Sequence, residues 1–180
     1  IWIFLQIADK VVAEETTTFD TEILQSIYSI HTPLLNKIMA GITYLGNGSI
    51  LIYLSCFVGI ILLTQRRFIN AFTLVIVASG GIALNVWLKT LYGRVRPALW
   101  ERIVEANSFS FPSGHAMVSL IIYGFIGYLL IVKFPSWSGI LLFFTTLLIL
   151  AIGFSRLYLG VHWPTDVIAG YAAGLVWLIS

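Results

Sequence analysis

Apolar residues fill five long runs in this chain: Ser49–Gln65, Phe68–Leu91, Gly114–Val132, Trp137–Leu157 and Pro164–Ser180. Each is divided from the next by a short polar or turn-forming stretch. An α-helix needs roughly 20 apolar residues to cross a bilayer, so each run is predicted as a transmembrane helix. Ile1–Ala8 is also apolar but too short to cross, and reads as the C-terminal part of a further membrane helix. The last run stops at Ser180 and can be truncated in the same way. The predicted fold class is an all-α integral membrane protein, a six-transmembrane-helix bundle whose first helix is only partly present. Residues 1–180 are expected to form a single domain.

The long polar connection runs from Asp9 to Asn47. Asp20 can cap a helix whose apolar positions, Ile23, Leu24, Ile27 and Ile30, recur at helical spacing. Thr32 followed by Pro33 marks a second helix start. These two are predicted as short helices at the membrane interface. His31 falls in the break between them and reads as a turn residue rather than a catalytic one.

Composition supports the membrane assignment. The chain is 59% hydrophobic and 10% charged, with a mean hydropathy of +0.96, whereas soluble domains carry about 25% charge. The net charge of +2 comes from 10 basic and 8 acidic residues, which argues against a broad nucleic-acid surface. Cys56 is the only cysteine, so neither an intrachain disulfide nor a cysteine-rich metal site is possible. In its apolar run it reads as a packed core thiol.

Loop charges set the predicted orientation. Arg66, Arg67 and Lys133 lie in acid-free loops, which places those loops in the cytoplasm. Asp9–Asn47, with Asp9, Glu14, Glu15, Asp20 and Glu22 against Lys10 and Lys37, falls on the opposite side. So do Lys89–Ser113 and the turn before the last run. Lys89, Arg94, Arg96 and Arg102 therefore stand on the side where cations are disfavoured, which suggests that they bind an anion.

Three polar islands carry the chemistry: KTLYGRVRP (Lys89–Pro97), PSGH (Pro112–His115) and SRLYLGVHWPTD (Ser155–Asp166). Lys89, Arg96 and Arg156 can surround a phosphate, with the arginine forks offering paired donors. Lys89 alone fits equally well as a cation snorkelling to lipid headgroups. Gly93 permits a bend and Pro97 ends the segment. Pro112, Ser113 and Gly114 open a helix whose free N–H groups form an anion site, and His115 sits just inside it. Asp166, four residues beyond His162, is placed to accept from one imidazole nitrogen and leave the other bare. A histidine merely capping a helix beside a carboxylate is the alternative.

Two histidines, three cations and an anion-binding helix start together describe a phosphoryl-transfer site. One imidazole attacks phosphorus, the other protonates the leaving oxygen, and the cations hold the developing charge. Two histidines and an aspartate can also bind zinc, but cations at this density oppose it.

These islands resemble the signature of the type 2 phosphatidic acid phosphatase family, K-x6-R-P, PSGH and S-R-x5-H-x3-D, in order and without substitution. The family contains lipid phosphate phosphatases and, more distantly, vanadium haloperoxidases. The motifs cover just under half of the chain, and the predicted six-helix layout agrees. The resemblance implies that His162 is a nucleophile forming a phosphohistidine, oriented by Asp166. It makes His115 the acid for the leaving group and the base for water. Lys89, Arg96, Arg156, Ser113 and the Gly114 amide would bind phosphate, with no metal or other cofactor. Arg94 and Arg102 lie outside the signature.

The short chain is similar to small bacterial members of the family. That similarity implies a plasma-membrane enzyme whose site faces the extracytoplasmic side. The expected partners are membrane lipids and a lipid phosphate substrate, with undecaprenyl diphosphate and phosphatidylglycerol phosphate foremost. Trp87, Tyr92, Trp100, Phe109, Phe111, Tyr158 and Trp163 can line the lipid's path, although most read as an interfacial belt. A lipid phosphotransferase and a non-enzymatic phospholipid-binding or transport protein are the alternatives. Retention of both His115 and His162 counts against the latter.

Overall fold

All regular structure is helical among the described residues, which are 1–100, 104 and 108–180 of this computed structural model. Four helices precede the charged islands: α1 (Trp2–Val12), α2 (Thr17–Tyr28), α3 (Pro33–Leu45) and α4 (Gly48–Thr64). Then come α5 (Phe68–Tyr92), α6 (Gly114–Lys133), a 3-10 turn at Pro135–Trp137, α7 (Ser138–Tyr158) and α8 (Pro164–Ile179). The five predicted runs are all helices, with ends within one residue of the apolar boundaries. Turn chemistry explains that agreement. Asn47 and Ser113 cap α4 and α6 through their side-chain oxygens, and Gly93 ends α5 in the left-handed conformation at φ 57°, open to glycine at little cost.

By length and composition, α5, α6 and Pro135–Tyr158 can each cross a membrane. The pair α3 and α4, bent by 47° at the Gly46–Asn47 break, can count as a fourth span. Among the described residues, α1 with 11 residues and α8 with 16 are shorter than those spans.

Helix α6 is the hub, packed against α8, α7, α5 and α4. Its inward face carries Ala116, Met117, Ile121, Ile122 and Phe125. Two small residues one turn apart on α8 let the backbones meet. A Cβ at Gly170 would stand 2.7 Å from the Ser113 carbonyl oxygen, and one at Gly174 would stand 2.9 Å from that of Met117. Close approach through small residues is what holds helices together in lipid, where no hydrophobic drive separates protein from solvent. It also presses the start of α6 against the start of α8, the two helix ends that carry PSGH and His162.

Three expectations need correction. Asp20 does not cap α2: the helix begins three residues earlier, after Thr16, and the Asp20 carboxylate is fully buried against α8. Cys56 is exposed rather than packed. Helix α4 is apolar all round, and in a membrane chain such a face can look outward. Phe111 and Tyr158 line no lipid path, since both are fully buried. Tyr158 donates to Asn36 Oδ1 (2.7 Å) and accepts from the Thr32 N–H (3.2 Å), fastening α3 to α7. His31 lies at the turn between α2 and α3 as expected, stacked on Tyr158 at 4.1 Å. Arg102 lies outside the described residues.

Candidate active site

The chain brings its three islands together at four helix ends. Asn85 and Lys89 stand one turn apart on α5. Beyond Gly93, the segment Arg94–Pro97 runs across the bundle, fixed by Ser110, whose N–H and Oγ–H donate to the Arg94 carbonyl oxygen (2.8 and 3.1 Å). The first turn of α6 supplies Gly114 and His115. The last turn of α7 supplies Arg156, and the loop that follows supplies His162.

A cavity of about 330 Å³ lies between them, lined by Lys89, Arg96, Gly114, His115, Arg156 and His162. Six of the eight residues predicted for the site thus line one cavity. Asp166 stands directly behind His162. Ser113 is the exception: it is fully buried and does not line this cavity among the described residues. Its Oγ accepts from the Ala116 N–H and its own N–H donates to the Asp166 carbonyl oxygen (2.9 Å). It joins α6 to α8 rather than facing the cavity.

His162 is held at both ring nitrogens. Arg96 Nη1 lies 3.0 Å from Nε2. A guanidinium can only donate, so Nε2 carries a lone pair. Nδ1–H is then left to donate to Asp166 Oδ2 at 3.3 Å. His162 is 1% exposed. Burial, and then the charges of Arg156, Arg96 and Lys89, push its imidazole well below the ordinary histidine range, opposed in part by the backbone at Ser110. These effects favour the neutral ring, with the Nε2 lone pair accepting from Arg96.

The cations are anchored from behind. Arg96 donates to the carbonyl oxygens of Val161 (2.6 Å) and Ser108 (2.7 Å). Lys89 Nζ donates to the Phe109 carbonyl oxygen. Arg156 Nη1 donates to Thr43 Oγ1 on α3 (2.7 Å). Among the described residues its buried Nε has no partner. A buried unpaired donor beside a basic cavity is what an incoming oxyanion would satisfy.

Residues 50–180 match the family model described as the PAP2 superfamily. The chain belongs to this superfamily. Phosphatidylglycerophosphatase B of Bacillus subtilis is 34% identical over 176 residues, 96% of this chain and 86% of that protein. The undecaprenyl-diphosphatase of Sulfolobus acidocaldarius is 28% identical over 180 residues, 97% of this chain and 82% of that one. Among solved structures, that of the first transmembrane PAP2 type phosphatidylglycerolphosphate phosphatase, from Bacillus subtilis, superposes with a TM-score of 0.92 at 32% identity. The match covers 99% of this chain and 90% of that one. The relatives' names agree on phosphatase chemistry, and this PAP2 chain is a phosphatase hydrolase with an all-helical membrane fold.

Two features of this PAP2 site depart from the sequence reading: Asn85 was not expected there, and Arg94, expected with the other cations to bind an anion, pairs with carboxylates instead. Asn85 lines the cavity and donates weakly to the Pro112 carbonyl oxygen (3.4 Å). Its position one turn before Lys89 was the available signal. Arg94, set aside as lying outside the signature, forks between two carboxylates. Its Nη1 donates to Asp166 Oδ1 (2.7 Å) and its Nη2 to Asp20 Oδ2 (2.8 Å). The loop charges singled it out, and its place in GRVRP put it two residues before Arg96, but neither showed that its partners are acids.

Proposed function

We propose that this chain removes a terminal phosphate from a membrane lipid phosphate or diphosphate through a phosphohistidine on His162. The observation that carries the reading is the polarised imidazole: Asp166 on Nδ1, a lone pair on Nε2, and Lys89, Arg96, Arg156 and His115 around the same cavity. Nε2 attacks phosphorus as the bond to the leaving oxygen breaks, and His115 gives that oxygen a proton. His115 then takes a proton from water, whose oxygen attacks phosphorus and releases phosphate and a neutral His162. Lys89, Arg96 and Arg156 hold the charge on the equatorial oxygens. The free N–H groups at the start of α6, Gly114 among them, add donors, and Ser113 aligns that helix start. The concentration of cations favours catalysis without a metal ion.

Undecaprenyl diphosphate and phosphatidylglycerol phosphate are the preferred substrates on the strength of the relatives' names. The six-helix layout is proposed with α1 and α8 as membrane helices and with α2 and α3 at the interface. The loop charges support an active site on the extracytoplasmic face; on this reading the membrane is the plasma membrane and residues 1–180 act as one domain.

Phosphate release by the detergent-purified protein, with EDTA present, tests the reading on a panel of undecaprenyl diphosphate, phosphatidylglycerol phosphate and phosphatidic acid. Release that vanishes in His162→Ala supports it, and the best substrate identifies the lipid. No release from any of them sinks it.

A further inference from the structure

The Asp20 carboxylate comes from α2, outside the residues that match the family model, yet it is fully buried at the first turn of α8. Its Oδ1 accepts from the Thr165 N–H (3.0 Å) and its Oδ2 from the Thr165 Oγ–H (2.6 Å). An acid that accepts a first-turn N–H serves as the helix's cap, so Asp20 caps α8 from 145 residues away. Arg94 closes the arrangement. Its two nitrogens span Asp20 and Asp166, and Nη1 also donates to Thr165 Oγ1 (2.8 Å). Asp166 thus shares one guanidinium with Asp20 on one oxygen and faces His162 with the other.

We propose that Asp20 is a positioning residue for the phosphoryl transfer: through Arg94 and Thr165 it fixes the first turn of α8 and sets how much negative charge Asp166 presents to His162. The proposal rests on His162 being the nucleophile. A simple staple between α2 and α8 would use the same bonds, but it would not tune the imidazole. Among the described residues, the charged and titratable groups around His162 are Asp166 on α8, Arg156 on α7, His115 on α6, Lys89 on α5 and Arg96 beyond it. Asp20 on α2 acts through Arg94. Changes confined to Asp20 and Arg94 leave the others in place.

The test is kcat/KM for phosphate release against pH in Asp20→Asn, Arg94→Gln and the double variant, with His162→Ala alongside. Asp20→Asn removes a negative charge, leaves Arg94 wholly to Asp166 and weakens the support for a protonated His162. Its acid limb moves to lower pH. Arg94→Gln removes the positive charge, and its limb moves to higher pH. Each shift is about 1 pH unit or less, and kcat falls on the order of 10-fold in each. The double variant restores the wild-type sum of charges, so its limb returns and its activity exceeds that of the worse single variant.

Unshifted limbs, limbs that move the same way, or a double variant no better than the worse single overturn the proposal. If one single variant does not fold, the direction in which the other's limb moves decides the matter. A wild type that releases no phosphate, or release that survives His162→Ala, overturns the nucleophile reading and this proposal with it. Unshifted limbs in a His162-dependent enzyme overturn this proposal alone.

Discussion

His162 Nδ1 and Asp166 Oδ2 lie 3.3 Å apart across the first turn of α8, both side chains almost wholly buried. The same Asp166 oxygen accepts from the Trp163 N–H at 2.9 Å. The carboxylate therefore cannot turn away from the ring without uncapping the helix. The two residues form one rigid unit, and the imidazole's orientation follows from the helix start.

Asp166→Asn keeps the shape but lets an amide N–H face Nδ1 or Arg94. It is expected to lower kcat by on the order of 100-fold to 10,000-fold, as loss of an orienting carboxylate does elsewhere, with a smaller effect on KM. Steady-state phosphate release checks this, and a kcat within threefold of wild type would argue against an orienting role.

Arg156→Lys keeps the charge but gives up the fork that joins Thr43 to the cavity. Loss of kcat/KM on the order of 10-fold to 100-fold is expected, together with weaker inhibition by vanadate or phosphate. Equal inhibition in variant and wild type would mean that the fork does not meet the anion.

Gly170→Ala forces a methyl to within 2.7 Å of the Ser113 carbonyl oxygen. Separating α6 from α8 should destabilise the protein by about 1–3 kcal/mol. It should also lower kcat, because the Ser113–Asp166 backbone bond lies at the same contact. Thermal unfolding in detergent, run beside the activity assay, would show both losses; Gly139→Ala, which meets nothing within 4 Å, should show neither.

The pH dependence follows from His162. Its folded pKa lies well below 6.5, so near and below pH 6.5 the unfolded chain binds a proton that the folded chain refuses. Stability is independent of this residue at higher pH and falls as pH drops through that range. The acid limb of kcat/KM should accordingly lie below pH 6.5. A limb at or above 6.5, or a His162→Gln variant with unchanged acid sensitivity, would contradict this.

The helix ends were legible because polar caps bound the apolar runs: Asn47, Gly93 and Ser113 each stop or start a helix by local chemistry. Lys89, Arg96, His115, Arg156 and His162 were legible because charge and imidazole stand out in so apolar a chain. Asp20 was not. Read locally it is a plausible helix cap, and its partners Arg94 and Thr165 lie 74 and 145 residues away. Nor does an apolar run say which of its faces is buried, and so the exposure of Cys56 was misjudged. The motif assigns Ser113 to phosphate but does not show that its buried Oγ also caps α6.

The most direct test of the account is to trap the covalent intermediate. The wild type would be mixed with a lipid diphosphate radiolabelled in its terminal phosphate, quenched within one turnover and digested. The account predicts an acid-labile, base-stable label on the peptide that carries His162, absent from His162→Ala. An active wild type that shows no such label, or carries it on another residue, would contradict the account.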